Sequence, residues 1–171
     1  MELLEKLDKK QIREFFSKGW MTHDAMWLYH CMQELGPEMA NKINMAAVRS
    51  MSLVEIKRIL KLMGRDSKPV QTFDELKEII DTTYKLIQPE FMKLYYGFPE
   101  KNLFRGGFHE CFAYEGMKKF GMVGVYQCGI LERVKGWFEG MGVKYEMTPE
   151  ISGCLMRGSG KCEVEFRTNL A

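Results

Sequence analysis

Four cysteines in the last third of the chain, Cys111, Cys128, Cys154 and Cys162, carry most of the chemistry that the sequence offers. Thiolates hold soft metal ions and attack electrophilic carbon, and protonated thiols pack as small apolar groups. No CxxC pair occurs, which argues against a zinc ribbon or finger. A site assembled from separated elements, with zinc or an iron–sulfur cluster on Cys111, Cys128, Cys154 and Cys162, stays open. Cys128 is the best nucleophile, because it opens a helical pattern, and the free N–H groups and dipole of a helix start lower a thiol pKa. His109 is the matching base, but no third residue is evident to orient it. The bland alternative is that all four are small buried hydrophobes.

A second constellation lies near the N-terminus. His23, Trp27, His30 and Cys31 recur at helical spacing and share one face, with Asp24 beside His23. The two histidines are two turns apart, roughly 10 Å along a helix axis, too far to hold one ion directly. The face reads either as a polar edge on an aromatic surface that closes over a ligand, or as a core face centred on Trp27. In the first case the ligand-binding residues are His23, Asp24, Trp27, Cys111 and Cys154. Arg157-Gly158-Ser159-Gly160 is a weaker signal, read as a hairpin turn before a backbone anion site.

Helical signals dominate up to about Gln88 and carry the second constellation. Asp8 caps a helix carrying Ile12, Phe15 and Phe16, and Gly19 ends it. Thr22 caps a second helix that runs to Leu35 and stops at Gly36-Pro37. Met39, Ile43 and Ala47 mark a third. Ser52 to Glu55 and Thr72 to Glu75 read as capping boxes of two more, the first of these ending at Gly64. After Pro89 the pattern changes. Lys93 to Phe98 and Phe104 to Tyr114 read as a β-hairpin around Pro99 to Asn102, with His109, Cys111 and Ala113 on one face. Gly106-Gly107 signals a bulge or a close backbone approach. Gly124 to Met141 reads as a helix, Val143 to Met147 and Ile151 to Met156 as extended. Lys161 to Arg167 alternates as a strand, with Cys162, Val164 and Phe166 on the inner face. The expected fold class is α+β (mixed α/β). A helical part, 1–89, packs on a small antiparallel sheet of β–β–α–β–β order in 90–171, the whole forming one domain.

Composition bounds the rest. At 171 residues and 46% hydrophobic content the chain can bury a core without disulfides. With 25 basic and 23 acidic residues, it lacks the electrostatic footprint of a nucleic-acid binder. It has no apolar run long enough for a membrane span, and Met1 to Lys10 lack a signal peptide's apolar stretch. A cytoplasmic location follows as the expectation, with all five cysteines as thiols. The 14 methionines read as soft core filler.

The cysteine pattern also carries a resemblance. Phe108-His-Glu-Cys111 in the first long strand, Gln127-Cys128-Gly129 opening a helix, and Gly160-Lys-Cys162-Glu-Val164 in the last strand resemble L-2-amino-thiazoline-4-carboxylate hydrolase-like proteins. More distantly they resemble the vinyl-4-reductase domain, a small-ligand-binding relative of a class of trafficking subunits. Thr22-His-Asp24-Ala-Met-Trp27 is similar to the Asp-x-x-Trp helix of an uncharacterised prokaryotic family near the hydrolase-like group. The resemblance implies an α/β domain in which sheet and helices enclose a ligand pocket that Cys111, Cys128 and Cys162 line or support. Three functions remain open: a small-molecule-binding domain of sensor or accessory type, possible as a homodimer; a hydrolase of a small C–N bond using Cys128 and His109; and a cysteine-ligated metal or iron–sulfur protein.

Overall fold

The computed structural model describes residues 3–66 and 68–171. Met1, Glu2 and Ser67 lie outside the described residues, and with them the start of the segment Met1 to Lys10. The chain is an α+β fold, 58% helix with one four-stranded antiparallel sheet. No helix of the described residues is long and apolar enough to cross a membrane.

A 3-10 turn, Leu3–Lys6, leads into α1, Lys9–Leu62. Asp8 caps α1 as expected: its carboxylate accepts from Gln11 N at 2.7 Å while its own N–H donates to the Gln11 side chain at 2.9 Å. The expected breaks at Gly19, Thr22 and Ser52 do not occur, and α1 runs through all three. Gly19 has open space around it, so the helix tolerates it for about 1 kcal/mol. Ser52 is fully buried, and its hydroxyl donates back to Arg49 O at 2.8 Å instead of capping. The one true interruption is Gly36, at φ 77° and ψ 161°, followed by Pro37. That conformation favours glycine, and Pro37 then starts a second arm. The second arm doubles back, so Trp20 and Trp27 of the first arm face Ile43, Asn44 and Met51 of the second.

α1 stops where expected. Gly64, at φ 67°, donates to Lys61 O at 3.0 Å and Arg65 N donates to Leu60 O at 2.9 Å, a Schellman closure. The second expected capping box is present on α2, Phe73–Ile87: Glu75 N donates to Thr72 Oγ1 and Thr72 N to Glu75 Oε2, each at 3.2 Å.

The hairpin pairs β1, Lys93–Glu100, with β2, Leu103–Glu110, around Lys101-Asn102, where Asn102 takes φ 63°. Asn102 also ties down the C-terminus, accepting from Leu170 N at 3.1 Å and donating to Leu170 O at 2.9 Å. The strand expected to reach Tyr114 ends at Glu110, and α3, Phe112–Lys119, begins instead. α4 spans Gly129–Gly140, and β3 spans Tyr145–Thr148. The stretch expected to be extended up to Met156 turns into a short helix, α5, Leu155–Ser159. Arg157 to Gly160 therefore closes a helix, and Cys154 and Cys162 do not flank a hairpin. β4, Cys162–Thr168, completes the sheet in the order β1-β2-β4-β3.

β4 alternates as its sequence demands. Cys162, Val164, Phe166 and Thr168 are buried, while Glu165 outside pairs with Arg105 at 2.6 Å. The inner face packs Phe104, Val164 and Phe166 against Ile79 and Ile80 of α2 and Trp137 and Phe138 of α4. α4 lies close on the second arm of α1 because Gly136 and Gly140 present no side chain to Ser52 and Ile56.

Candidate functional site

The four C-terminal cysteines divide between two apolar clusters. Cys111, Cys128 and Cys154 each stand immediately before a helix, α3, α4 and α5, and none caps it with its side chain. Cys162 opens β4 opposite Phe108 of β2. Cys111 and Cys162 share an apolar cluster with Met92 and Phe108. Cys128 and Cys154 pack on Leu28, Met117 and Tyr126. Buried Asn41 holds the approach to Cys128: it donates to Val125 O at 2.7 Å and accepts from Gln127 N at 2.9 Å.

Three of the thiols, Cys111, Cys128 and Cys162, are shifted upward. Burial first, then the neighbouring Cys111, Cys162 and Cys154, push Cys128 up to about 12, although the Leu131 N–H pulls the other way. Burial, then Cys111 and Cys154, push Cys162 up to about 12. Cys111 is raised by burial, against the N–H groups of Tyr114 and Ala113. The helix-start effect expected to activate Cys128 is thus present but outweighed by desolvation. A thiol held near 12 is a poor nucleophile at neutral pH. His109 does not join it; its exposed ring lies 4.5 Å from that of Tyr95 on β1. The expected pair of Cys128 and His109 is therefore not assembled.

Nor do the thiols line one hollow. Cys128 borders a cavity of about 130 Å³ with Glu132 and Lys135. Cys154 borders an open surface groove of about 610 Å³ beside Arg157, whose guanidinium donates to Gly124 O at 2.7 Å. The hollow under the sheet, between Tyr84, Phe104, Phe108 and Trp137, holds only about 50 Å³ and is bordered by none of the cysteines. Gly107 borders that hollow, and a Cβ there would meet Cys162 O at 2.0 Å, so the close approach signalled by Gly106-Gly107 is real. Among the described residues, no three His, Cys, Asp or Glu side chains are arranged to hold a metal ion.

The N-terminal constellation has a cavity of its own. Between the two arms of α1 lies a space of about 150 Å³, bordered by Trp20, Asp24, Trp27 and Cys31 on one side and by Ile43 and Asn44 on the other. His23 stacks on Trp27, centroids 6.3 Å apart, and His30 turns away onto Tyr29 at 5.1 Å. The Asp24 carboxylate makes no hydrogen bond or ion pair among the described residues, and burial raises its pKa against the pull of His23 and Arg133. Arg133 sits over the Trp20 ring, 5.2 Å from its centroid. Its charge is matched by Glu55, which accepts from Arg133 Nε at 2.8 Å and also from Trp137 Nε1 at 2.8 Å.

Sequence reasoning missed Trp20, Asn44, Arg133 and Glu55. Trp20 was within reach: seven residues before Trp27, it joins the same stripe once the helix is continued through Gly19. The others come from the second arm and α4, and only the turn at Gly36 and the packing of α4 bring them near. No family model matches the chain, and the search of curated proteins finds no match.

Proposed function

We propose that the chain is a small-molecule-binding domain of sensor or accessory type, and that its ligand enters the elbow between the arms of α1. The observation that carries this reading is a cavity of about 150 Å³ bordered by two indoles, with a carboxylate that makes no hydrogen bond or ion pair among the described residues. A space of that size admits a benzene-sized guest, whereas the 50 Å³ hollow under the sheet does not. Apolar walls with one or two convergent polar groups are the usual make-up of a ligand site. Asp24, Trp27 and Trp20 belong to the wall and His23 backs Trp27, whereas Cys111 and Cys154, expected in the same ligand set, do not border it. A fragment screen read on the three tryptophan indole N–H resonances tests the proposal. Ligands should move the Trp20 and Trp27 signals and leave Trp137 in place. Ala47→Trp, which fills the elbow, should abolish the response. If the hits move only Trp137, or Ala47→Trp changes nothing, the site is elsewhere.

A second reading is favoured by four thiols from four elements. Their sulfurs suit zinc or an iron–sulfur cluster in donor chemistry. Their present arrangement is not a ligand sphere, so Cys111, Cys128, Cys154 and Cys162 would have to turn toward a common point. Bound metal would replace the protons that burial now holds on Cys111, Cys128 and Cys162. Metal analysis of anaerobically purified protein, repeated on Cys128→Ser and Cys162→Ser, decides: one equivalent lost in both variants supports the reading, and none in the parent removes it.

A cytoplasmic location suits five free cysteines. We also expect a homodimer, since Phe15 and Phe16 are 74% and 67% exposed on the outer side of α1. Light scattering on the parent and on Phe15→Glu measures this directly.

A further inference from the structure

The elbow cavity has a chemistry specific enough to name a ligand class, and the inference rests on the reading of that cavity as the ligand site. We propose that it binds an organic ammonium ion, a methylated or alkylated amine whose head lies on Trp27 and pairs with Asp24.

Three observations lead there. First, charge is unbalanced in one direction. Arg133 is held by Glu55 through two guanidinium bonds, so its charge is already matched. Asp24 has no such partner among the described residues, and it borders the cavity. Asp24 is exposed at the mouth of the cavity, and an unpaired carboxylate there favours a cation over an anionic guest. Second, the walls are of the type that holds cations. Aromatic faces attract positive charge through their quadrupole, and indole is the strongest of them. The protein already uses this wall in that way, for Arg133 lies over Trp20. Among the described residues no Lys or Arg lies over Trp27, and that ring remains for a ligand. Third, size and hydration select within the class. Ile43, Ala47 and Val48 border the space and would cover the apolar side of a guest, while Trp27 stays 64% exposed at its mouth. A primary ammonium keeps three N–H donors, and the wall offers Asp24 and Asn44 to receive them. A quaternary head has no donors to leave unsatisfied, and its methyl groups gain from the apolar lining. Quaternary and highly methylated amines are therefore the preferred members.

The test uses choline and its neutral carbon isostere, in which a quaternary carbon replaces the nitrogen. Binding is followed by titration calorimetry and by the indole N–H signals of Trp20 and Trp27. Choline should bind at least about tenfold more tightly than the isostere, as loss of a cation–π contact and a charge pair predicts. Asp24→Asn should cost choline about tenfold and leave the isostere unchanged. Trp27→Leu should weaken choline similarly, and its thermal unfolding shows whether the fold is kept. If the isostere binds as well as choline and Asp24→Asn has no effect, the ammonium class is wrong while the elbow remains a ligand site. If neither probe, nor any neutral fragment, moves the Trp20 and Trp27 signals, both the class and the site fall together.

Discussion

Gly136 is where α4 touches α1, and replacing it with alanine tests the packing that positions the elbow and the thiols alike. A Cβ at this position would stand 1.8 Å from Ser52 Oγ and 2.8 Å from Ser52 Cβ. Ordinary contacts need well over 3 Å, so helix or serine must move by about 1.5 Å. Ser52 is fully buried and its hydroxyl is bonded to Arg49 O at 2.8 Å, so it has nowhere to turn without losing that bond. Alanine gains about 1 kcal/mol over glycine in helix propensity. Overpacking costs about 1–3 kcal/mol, and a lost hydrogen bond about 1 kcal/mol more. The net effect of Gly136→Ala is a destabilisation of about 1–3 kcal/mol. For a chain of this length that corresponds to a fall of about 2–10 °C in unfolding temperature. Urea unfolding followed by far-ultraviolet circular dichroism measures it. Adding Ser52→Gly makes room for the new methyl group. The double variant should then be less unstable than the sum of its parts, with a coupling of about 1–2 kcal/mol. A Gly136→Ala protein as stable as the parent, or additive effects in the double variant, would refute the close α1–α4 contact.

Other perturbations follow from the charges and thiols. Glu55→Gln leaves the Arg133 guanidinium, now only 15% exposed at its side chain, without its carboxylate, and should cost about 2–4 kcal/mol in urea unfolding. It should also weaken choline binding, because the freed Arg133 charge competes for Asp24; unchanged affinity would detach Arg133 from the elbow. Cys128 is raised from 9.0 to about 12 in the folded chain, so its contribution is complete below pH 9 and is lost as pH climbs toward 12. Cys128→Ala should flatten that alkaline decline in stability, and parent Cys128 should react with iodoacetamide at neutral pH about a thousandfold more slowly than a free thiol. Fast Cys128 alkylation, mapped by mass spectrometry, would restore the nucleophile reading. Glu75 is lowered from 4.5 to about 2 by the N–H of Gln71, the side chain of Arg65 and the N–H of Thr72, so its stabilisation is complete above 4.5 and disappears as pH falls toward 2. Glu75→Gln should lose this acid-range slope in urea midpoint against pH, and an unaltered slope would deny the cap its charge.

The features that were legible in the sequence are those decided by near neighbours. Thr72 and Glu75 satisfy each other's backbone within one turn, so their capping box could be read directly. Cys162, Val164 and Phe166 alternate with charged residues in a strand that has one wet face. Ser52 shows the opposite case. A serine three residues before a glutamate is the same signal whether it caps a helix or fills a tight helix crossing, and the deciding partner, Gly136, lies in another element. Gly19 and Thr22 looked like punctuation because a short helix would stop there, yet the packing along 54 residues of α1 outweighs one glycine. The same logic separates the two candidate sites. Asp24 and Trp27 were readable because helical spacing sets their common face, but the wall opposite them depends on how sharply Gly36 turns the chain. For the thiols, the sequence correctly placed Cys128 at a helix start, where the dipole lowers a pKa. It could not weigh that effect against burial, because the protein packed around Cys128 comes from α1, α3 and Tyr126, and from the distant Cys154. The balance between those two opposed effects turns a nucleophile into a protonated thiol, and it is set by tertiary contacts alone.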